Sequence, residues 1–169
     1  VYNQGGGTVC VLDNRTTAMT GRQGNPFNGE TLQGRESREL DLAGVVRALG
    51  VSDVREIDPY DVRAVRQALR DATRKEELSV IVFRHPCVLL DRFRAASFFV
   101  NGDCTACGAC ITIGCPALAR CETDGRALID ASLCVGCGQC AQYCAFGAIN
   151  QEASGATEKG ESEAGGGHE

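Results

Sequence analysis

The sequence predicts an α/β unit with a parallel sheet, followed by a small, cysteine-rich α+β domain. Three observations carry this. Apolar runs of strand length alternate with helically spaced apolar stripes as far as residue 83, the composition changes near residue 95, and eight of the 11 Cys fall into two short runs. At 169 residues the chain has room for one medium domain or two small ones.

Thr8-Val9-Cys10-Val11-Leu12 is rich in apolar and β-branched residues and stops at Asp13-Asn14, which predicts a buried strand ending in a loop. From Asn14 to Arg35 no apolar period is sustained, and such long irregular stretches tend to surround a site. Leu42, Val45, Val46 and Leu49 recur at helical spacing between Asp41 and Gly50. Val51 to Ile57 predicts a second strand. Asp58-Pro59 then opens a second helix with the stripe Val62, Val65, Leu69 and Ala72. Leu78 to Phe83 is almost wholly apolar and predicts a strand covered on both faces. Strands alternating with helices argue for parallel packing, and ligands of such sheets sit at the carboxyl ends of strands, where the Asn14 loop lies.

Beyond Cys87, Ser97 to Val100 predicts a short strand leading into the cysteine-rich part, and Asp124-Gly125 predicts a hairpin flanked by Cys121-Glu122-Thr123 and Ala127-Leu128-Ile129. The expected division is 1–95, 96–150 and a disordered acidic tail, 151–169, which carries four of the five net negative charges. The near-neutral remainder gives no footprint for nucleic acid. No run reaches the roughly 18 apolar residues of a membrane span and no export signal is visible, so a cytoplasmic chain with no membrane partner is expected. Val1-Tyr2-Asn3-Gln4 reads as the interior of a domain, so the chain is expected to be a piece of a longer one.

An odd number of Cys in tight clusters favours metal over disulfides. Cys104, Cys107 and Cys110 map onto Cys134, Cys137 and Cys140 at a constant offset of 30 residues, with Cys115 and Cys144 following. Triplets of thiolates two residues apart can wrap one face of a cubane cluster, and Gly108, Gly136 and Gly138 let backbone N–H groups approach it. Structural zinc favours pairs of ligands instead. The runs resemble the two-cluster ferredoxin pattern, in which the fourth Cys of each run serves the other cluster. That resemblance implies one 4Fe-4S site from Cys104, Cys107, Cys110 and Cys144, and a second from Cys134, Cys137, Cys140 and Cys115. The first run has one residue more than usual before Cys115, which leaves Cys121 as a reserve ligand, and Ala145 stands where Pro is usual.

Residues Val9 to Gln23, which include Asp13-Asn14-Arg15-Thr16-Thr17-Ala18-Met19-Thr20-Gly21, precede this ferredoxin-like part. In that order the two motifs resemble the alpha subunit of the indolepyruvate ferredoxin oxidoreductases, which are thiamine-diphosphate-dependent 2-oxoacid:ferredoxin oxidoreductases. The likeness extends to about residue 150. It implies that residues 1–95 are the later half of a thiamine-diphosphate-binding domain. Asn14 would give a side-chain oxygen and Thr16 its carbonyl to Mg²⁺, while Thr17, Met19 and Thr20 would line the cofactor. Hard oxygen donors suit Mg²⁺ shared with a diphosphate. The family's carboxylate ligand comes from a Gly-Asp-Gly or Gly-Asp-Ser motif farther upstream than this chain begins. No catalytic residue is assigned within it, and alone it is expected to be inactive.

The implied reaction is oxidative decarboxylation of an arylpyruvate, with electrons passed singly through both clusters to ferredoxin while coenzyme A takes the acyl group; a beta subunit is the implied partner. The alternative is a ferredoxin-like transfer module whose α/β part docks without thiamine chemistry. Met19 also reads as ordinary core packing, Cys10 and Cys87 as small core residues, and His85 as a capped loop histidine. Arg63, Arg66, Arg70, Arg74 and Lys75 read as the solvated side of the second helix or as a docking face for an acidic protein.

Overall fold

The computed structural model describes residues 1–90 and 95–151; the expected tail therefore lies, apart from Gln151, outside the described residues. Among the described residues seven strands and three α-helices follow one another as β1 (Gly7–Asp13), α1 (Leu42–Ala48), β2 (Asp53–Ile57), α2 (Val62–Thr73), β3 (Leu78–Arg84), β4 (Phe98–Val100), β5 (Leu118–Arg120), β6 (Ala127–Ile129), α3 (Gln139–Tyr143) and β7 (Ile149–Gln151), with a 3₁₀ helix at Ala109–Ile113.

The first sheet is parallel in the order β1-β3-β2, so the apolar strand β3 is central. Ser79 to Phe83 are all buried, as a strand covered on both faces requires. On one face Ile81 and Phe83 pack with Ala68 and Ala72 of α2, flanked by Ile57, Val65 and Leu69. Burial of an Ile or Phe side chain contributes about 1.5–3 kcal/mol, so this small cluster holds the helix to the sheet. The Asp61 carboxylate accepts the Ala64 N–H at 2.9 Å and fixes the start of α2. Asp41 does the same for α1 through Gly44 at 2.8 Å, and Gly50 at φ +90° stops the chain just past its end.

Three expectations are corrected. Among the described residues β1 pairs with β3 alone, and Val9 and Leu12 are exposed, Leu12 at 78%, as is Cys10, against the core position expected of it. The second helix opens at Val62, because Asp58 accepts the Tyr60 N–H at 2.8 Å and folds Asp58-Pro59-Tyr60 into a turn ahead of it. The hairpin pairs Leu118–Arg120 with Ala127–Ile129, so Cys121-Glu122-Thr123 belongs to its turn; the turn closes by Gly125 N–H to the Cys121 carbonyl at 3.0 Å.

The cysteine-rich unit repeats strand, cysteine run, short helix, strand, with β4 antiparallel to β7 and β5 antiparallel to β6. The first and last strands thus pair across the whole repeat. Its core gathers Cys110, Ala127 and Ile149, with Phe98, Val100, Ile111, Leu118 and Ile129 around them.

The two units meet at a polar seam. The Gln142 side chain accepts the Val62 N–H at 2.9 Å and donates to the Tyr60 carbonyl at 2.7 Å, and Gln139 donates to the Pro59 carbonyl at 3.3 Å. Helix α3 thereby satisfies backbone groups at the start of α2. Gly136, at φ +73°, lies so close to Ala95 and Ala96 that a Cβ would meet the Ala96 carbonyl oxygen at 2.6 Å.

Candidate iron–sulfur and cofactor sites

The cysteines divide between two cavities. Cys104, Cys107, Cys110 and Cys144 line one, closed by Ala127, Phe146, Ala148 and Ile149. Cys115, Cys134, Cys137 and Cys140 line the other, whose walls include Phe98, Ile113, Leu118, Ile129, Val88 and Tyr60. Each takes three cysteines from one run and one from the other. The extra residue before Cys115 is absorbed at Gly114, φ +71°, which ends the 3₁₀ helix and leaves Cys115 facing the second cavity. Cys121 lines neither cavity; its sulfur lies 3.1 Å from the Thr123 hydroxyl. All 11 Cys are free of disulfides. Among the described residues no three Cys, His, Asp or Glu side chains converge on a point that would hold a single ion.

Backbone geometry explains how each run turns about its cavity. Gly108 and Gly138 are left-handed and precede the 3₁₀ helix and α3, and Ala106 and Gly136, 30 residues apart, both have positive φ. N–H groups of the flanking segments point at sulfur. Phe98 donates to Cys134 Sγ at 3.4 Å, and Ala148 to Cys144 Sγ at 3.3 Å. Hydrogen bonds from the backbone of Ala127 and then Ala106 pull the Cys104 thiol below its ordinary range. Burial pushes the Cys110 thiol up and pushes Cys140 up to about 11, with the neighbouring Cys137 adding to the latter.

At the carboxyl edge of the parallel sheet, the Asp13 side chain is buried against Arg84 at 2.8 Å, and Arg84 reaches Glu56 at 2.9 Å. One carboxylate oxygen of Asp13 also accepts the Arg15 N–H at 3.1 Å. Asn14 Oδ1 accepts the Thr16 N–H at 3.2 Å, an Asx turn, while the Asn14 carbonyl accepts the Cys87 N–H at 2.9 Å. Thr16 is buried and its hydroxyl donates to the Gln23 carbonyl at 3.2 Å. Arg15, at φ +63°, holds Glu39 through two 2.8 Å contacts and the Phe27 carbonyl through Nη1. That fork ties the loop to the segment around Glu39. The loop borders a groove of about 750 Å³ lined in part by Arg15, Thr16, Arg22, Gln23 and Asn28.

Of the five expected cofactor contacts, Asn14 is half-buried and Thr16 is at the groove, whereas Thr17, Met19 and Thr20 are exposed. Met19 is 98% exposed, which overturns core packing for it. Its turn is closed by the Gln23 side chain against Thr20. Sequence reasoning missed Tyr60 and Val88 as walls of the second cysteine cavity. Tyr60 packs on the His85 ring with centroids 4.2 Å apart, and His85 Nδ1 lies 3.2 Å from Asp58. Burial, then the nearby Cys137, raise the Tyr60 phenol above its ordinary range. Nothing in the spacing links residue 60 to residue 137.

Comparison with known proteins bears on these sites. Residues 1–83 match the family described as thiamine pyrophosphate enzyme, C-terminal TPP binding domain, and residues 126–149 match the 4Fe-4S binding domain family. The chain is similar to indolepyruvate oxidoreductase subunit IorA. Identity to IorA of Pyrococcus horikoshii is 38% over 92% of this chain and 25% of the relative. For IorA of Thermococcus kodakarensis the values are 37%, 88% and 24%, and for that of Archaeoglobus fulgidus 38%, 88% and 25%. The chain thus spans about a quarter of the length of the IorA subunits it matches, and an expected α/β thiamine unit followed by a ferredoxin-like region is what the matched families describe. No helix among the described residues is long and apolar enough to cross a membrane.

Proposed function

We propose that this chain holds the magnesium-side loop of thiamine diphosphate and two 4Fe-4S clusters in a 2-oxoacid:ferredoxin oxidoreductase acting on indolepyruvate and related arylpyruvates, with coenzyme A as acyl acceptor. The observation that carries the reading is the partition of eight cysteines into two apolar cavities, three from one run and one from the other in each. Triplets of cysteines joined in each cavity by one cysteine of the other run are the arrangement of paired cubane sites, whereas structural zinc favours pairs of ligands.

Thiamine diphosphate, when bound, supplies the carbanion chemistry of decarboxylation. This chain's residues do the holding. Asn14 and the Thr16 carbonyl offer hard oxygen atoms to Mg²⁺, and the turn through Asp13, Arg84, Arg15 and Glu39 fixes their position. Apolar side chains wall the sulfur cavities, and N–H groups of Phe98, Ala127 and Ala148 favour negative charge on sulfur. Thr17, Met19 and Thr20, on the exposed turn, are the cofactor's outer contacts. A beta subunit and ferredoxin are the proposed partners and the cytoplasm the proposed location.

Anaerobic iron and acid-labile sulfide analysis, with low-temperature EPR after dithionite reduction, tests the reading. About eight of each with two interacting signals supports it; zinc without sulfide overturns it. Mg²⁺-dependent binding of thiamine diphosphate to the assembled protein separates it from a transfer module without thiamine chemistry.

A further inference from the structure

Helix α2 carries Arg63, Arg66 and Arg70 at spacings of three and four residues, so the guanidinium groups share one face. None has a carboxylate partner among the described residues, although Arg55, Arg84 and Arg15 all do. Like charges left unpaired along a helix face oppose its formation. The three line an open groove of about 980 Å³ that continues to Tyr60 and to Gln142 of α3. Tyr60 forms a wall of both this groove and the Cys115, Cys134, Cys137, Cys140 cavity. Asp58 and Asp61 also border the groove, but both are engaged within the chain, with the Tyr60 and Ala64 N–H groups.

We propose that the arginine face of α2 is the docking surface for an acidic one-electron carrier protein, which seats there against the Cys115, Cys134, Cys137 and Cys140 cavity. The inference rests on the electron-transfer reading above and adds where the carrier binds. An open face on which three arginines outnumber the two carboxylates at its border carries a net positive field, which steers an acidic protein and fixes its orientation. A small anion would instead need an enclosed pocket with buried donors, and this groove is wide and bordered by two carboxylates.

The test uses the full, iron-loaded protein and, as probe, an acidic ferredoxin, with association followed at low and high salt. The expected result is salt-sensitive binding whose association rate falls on the order of tenfold or more in R63E/R66E/R70E. Binding should persist in R63K/R66K/R70K and in the control R38E. Melting curves check that the triple variant is folded, and R66E alone replaces it if it is not. Unchanged binding by the Glu variants, an equal loss in R38E, or complete competition by inorganic phosphate at matched ionic strength would overturn the proposal. Iron and sulfide content is measured on the same samples, so a failure of the cluster reading is seen separately from a failure of the docking face.

Discussion

The backbone N–H of Phe98 donates to the sulfur of Cys134 at 3.4 Å, although Phe98 belongs to the strand that leads into the other cysteine run. The relation is reciprocal, since the strand leading into the Cys134 run supplies the Ala127 N–H that lowers the Cys104 thiol. Each site is tuned by the half of the repeat that does not supply its triplet. Phe98→Pro removes one donor and should lower the reduction potential of the Cys134 site, because N–H···S bonds stabilise the more negative reduced state. Phe98→Ala keeps the donor and should lower it less. Redox titration followed by EPR distinguishes the two, and equal potentials in both variants would contradict the argument.

The choice between Cys115 and Cys121 is read by metal content. Cys115→Ala should lose about four of about eight iron atoms per chain, whereas Cys121→Ala should keep all of them. Cys115 faces the second cavity and Cys121 faces Thr123. The reverse pattern would reassign the fourth ligand.

The Asn14 turn should answer to magnesium and not to iron. Asn14→Ala is expected to weaken Mg²⁺-dependent thiamine diphosphate binding, measured by calorimetry on the assembled protein, while iron and sulfide stay constant. A parallel loss of iron would mean that the loop supports the fold as a whole.

Asp53 gives a pH-dependent signature. Lys75 at 2.7 Å, then Arg55 at 3.0 Å and Ser79 at 2.8 Å, hold its carboxyl far below the ordinary carboxylate range. A depressed native pKa stabilises the fold above the unfolded value of about 3.9, and that gain is lost as pH falls through the lower native value. Asp53→Asn should cost about 1.5–3 kcal/mol at neutral pH, with the gap to wild type narrowing below about pH 3.9. Urea titrations at several pH values check it; a gap constant down to the acid limit would contradict the charge argument.

Core packing is tested at Ile81, which is fully buried under α2. Ile81→Ala should destabilise by about 2–5 kcal/mol through lost burial and a residual cavity. A lower urea midpoint with unchanged slope is the expected readout.

Much of this was legible in the residues because the signals were local. The run from Leu78 to Phe83 has no polar residue but Ser79, and the 30-residue offset between cysteine triplets needs no fold to be seen. The division of the eight cysteines came from a resemblance, and the cavities group the same residues. What stayed hidden depends on strands and loops meeting at long range. Arg84 stands opposite Asp13 only once β1 and β3 pair in register, and Tyr60 reaches the cysteine cavity only through the turn that Asp58 makes. The exposure of Leu12 was equally unreadable, because an apolar strand looks the same at the edge of a sheet as at its centre.

The exchange of one cysteine between the two runs has a consequence for how the protein ages in air. With Cys115 and Cys144 each lining the cavity of the opposite run, oxidation of either sulfur takes a corner from one site and loosens the segment that frames the other. Loss of one site would therefore leave the other standing but less tightly framed, and the population should pass through half-loaded molecules before it bleaches completely.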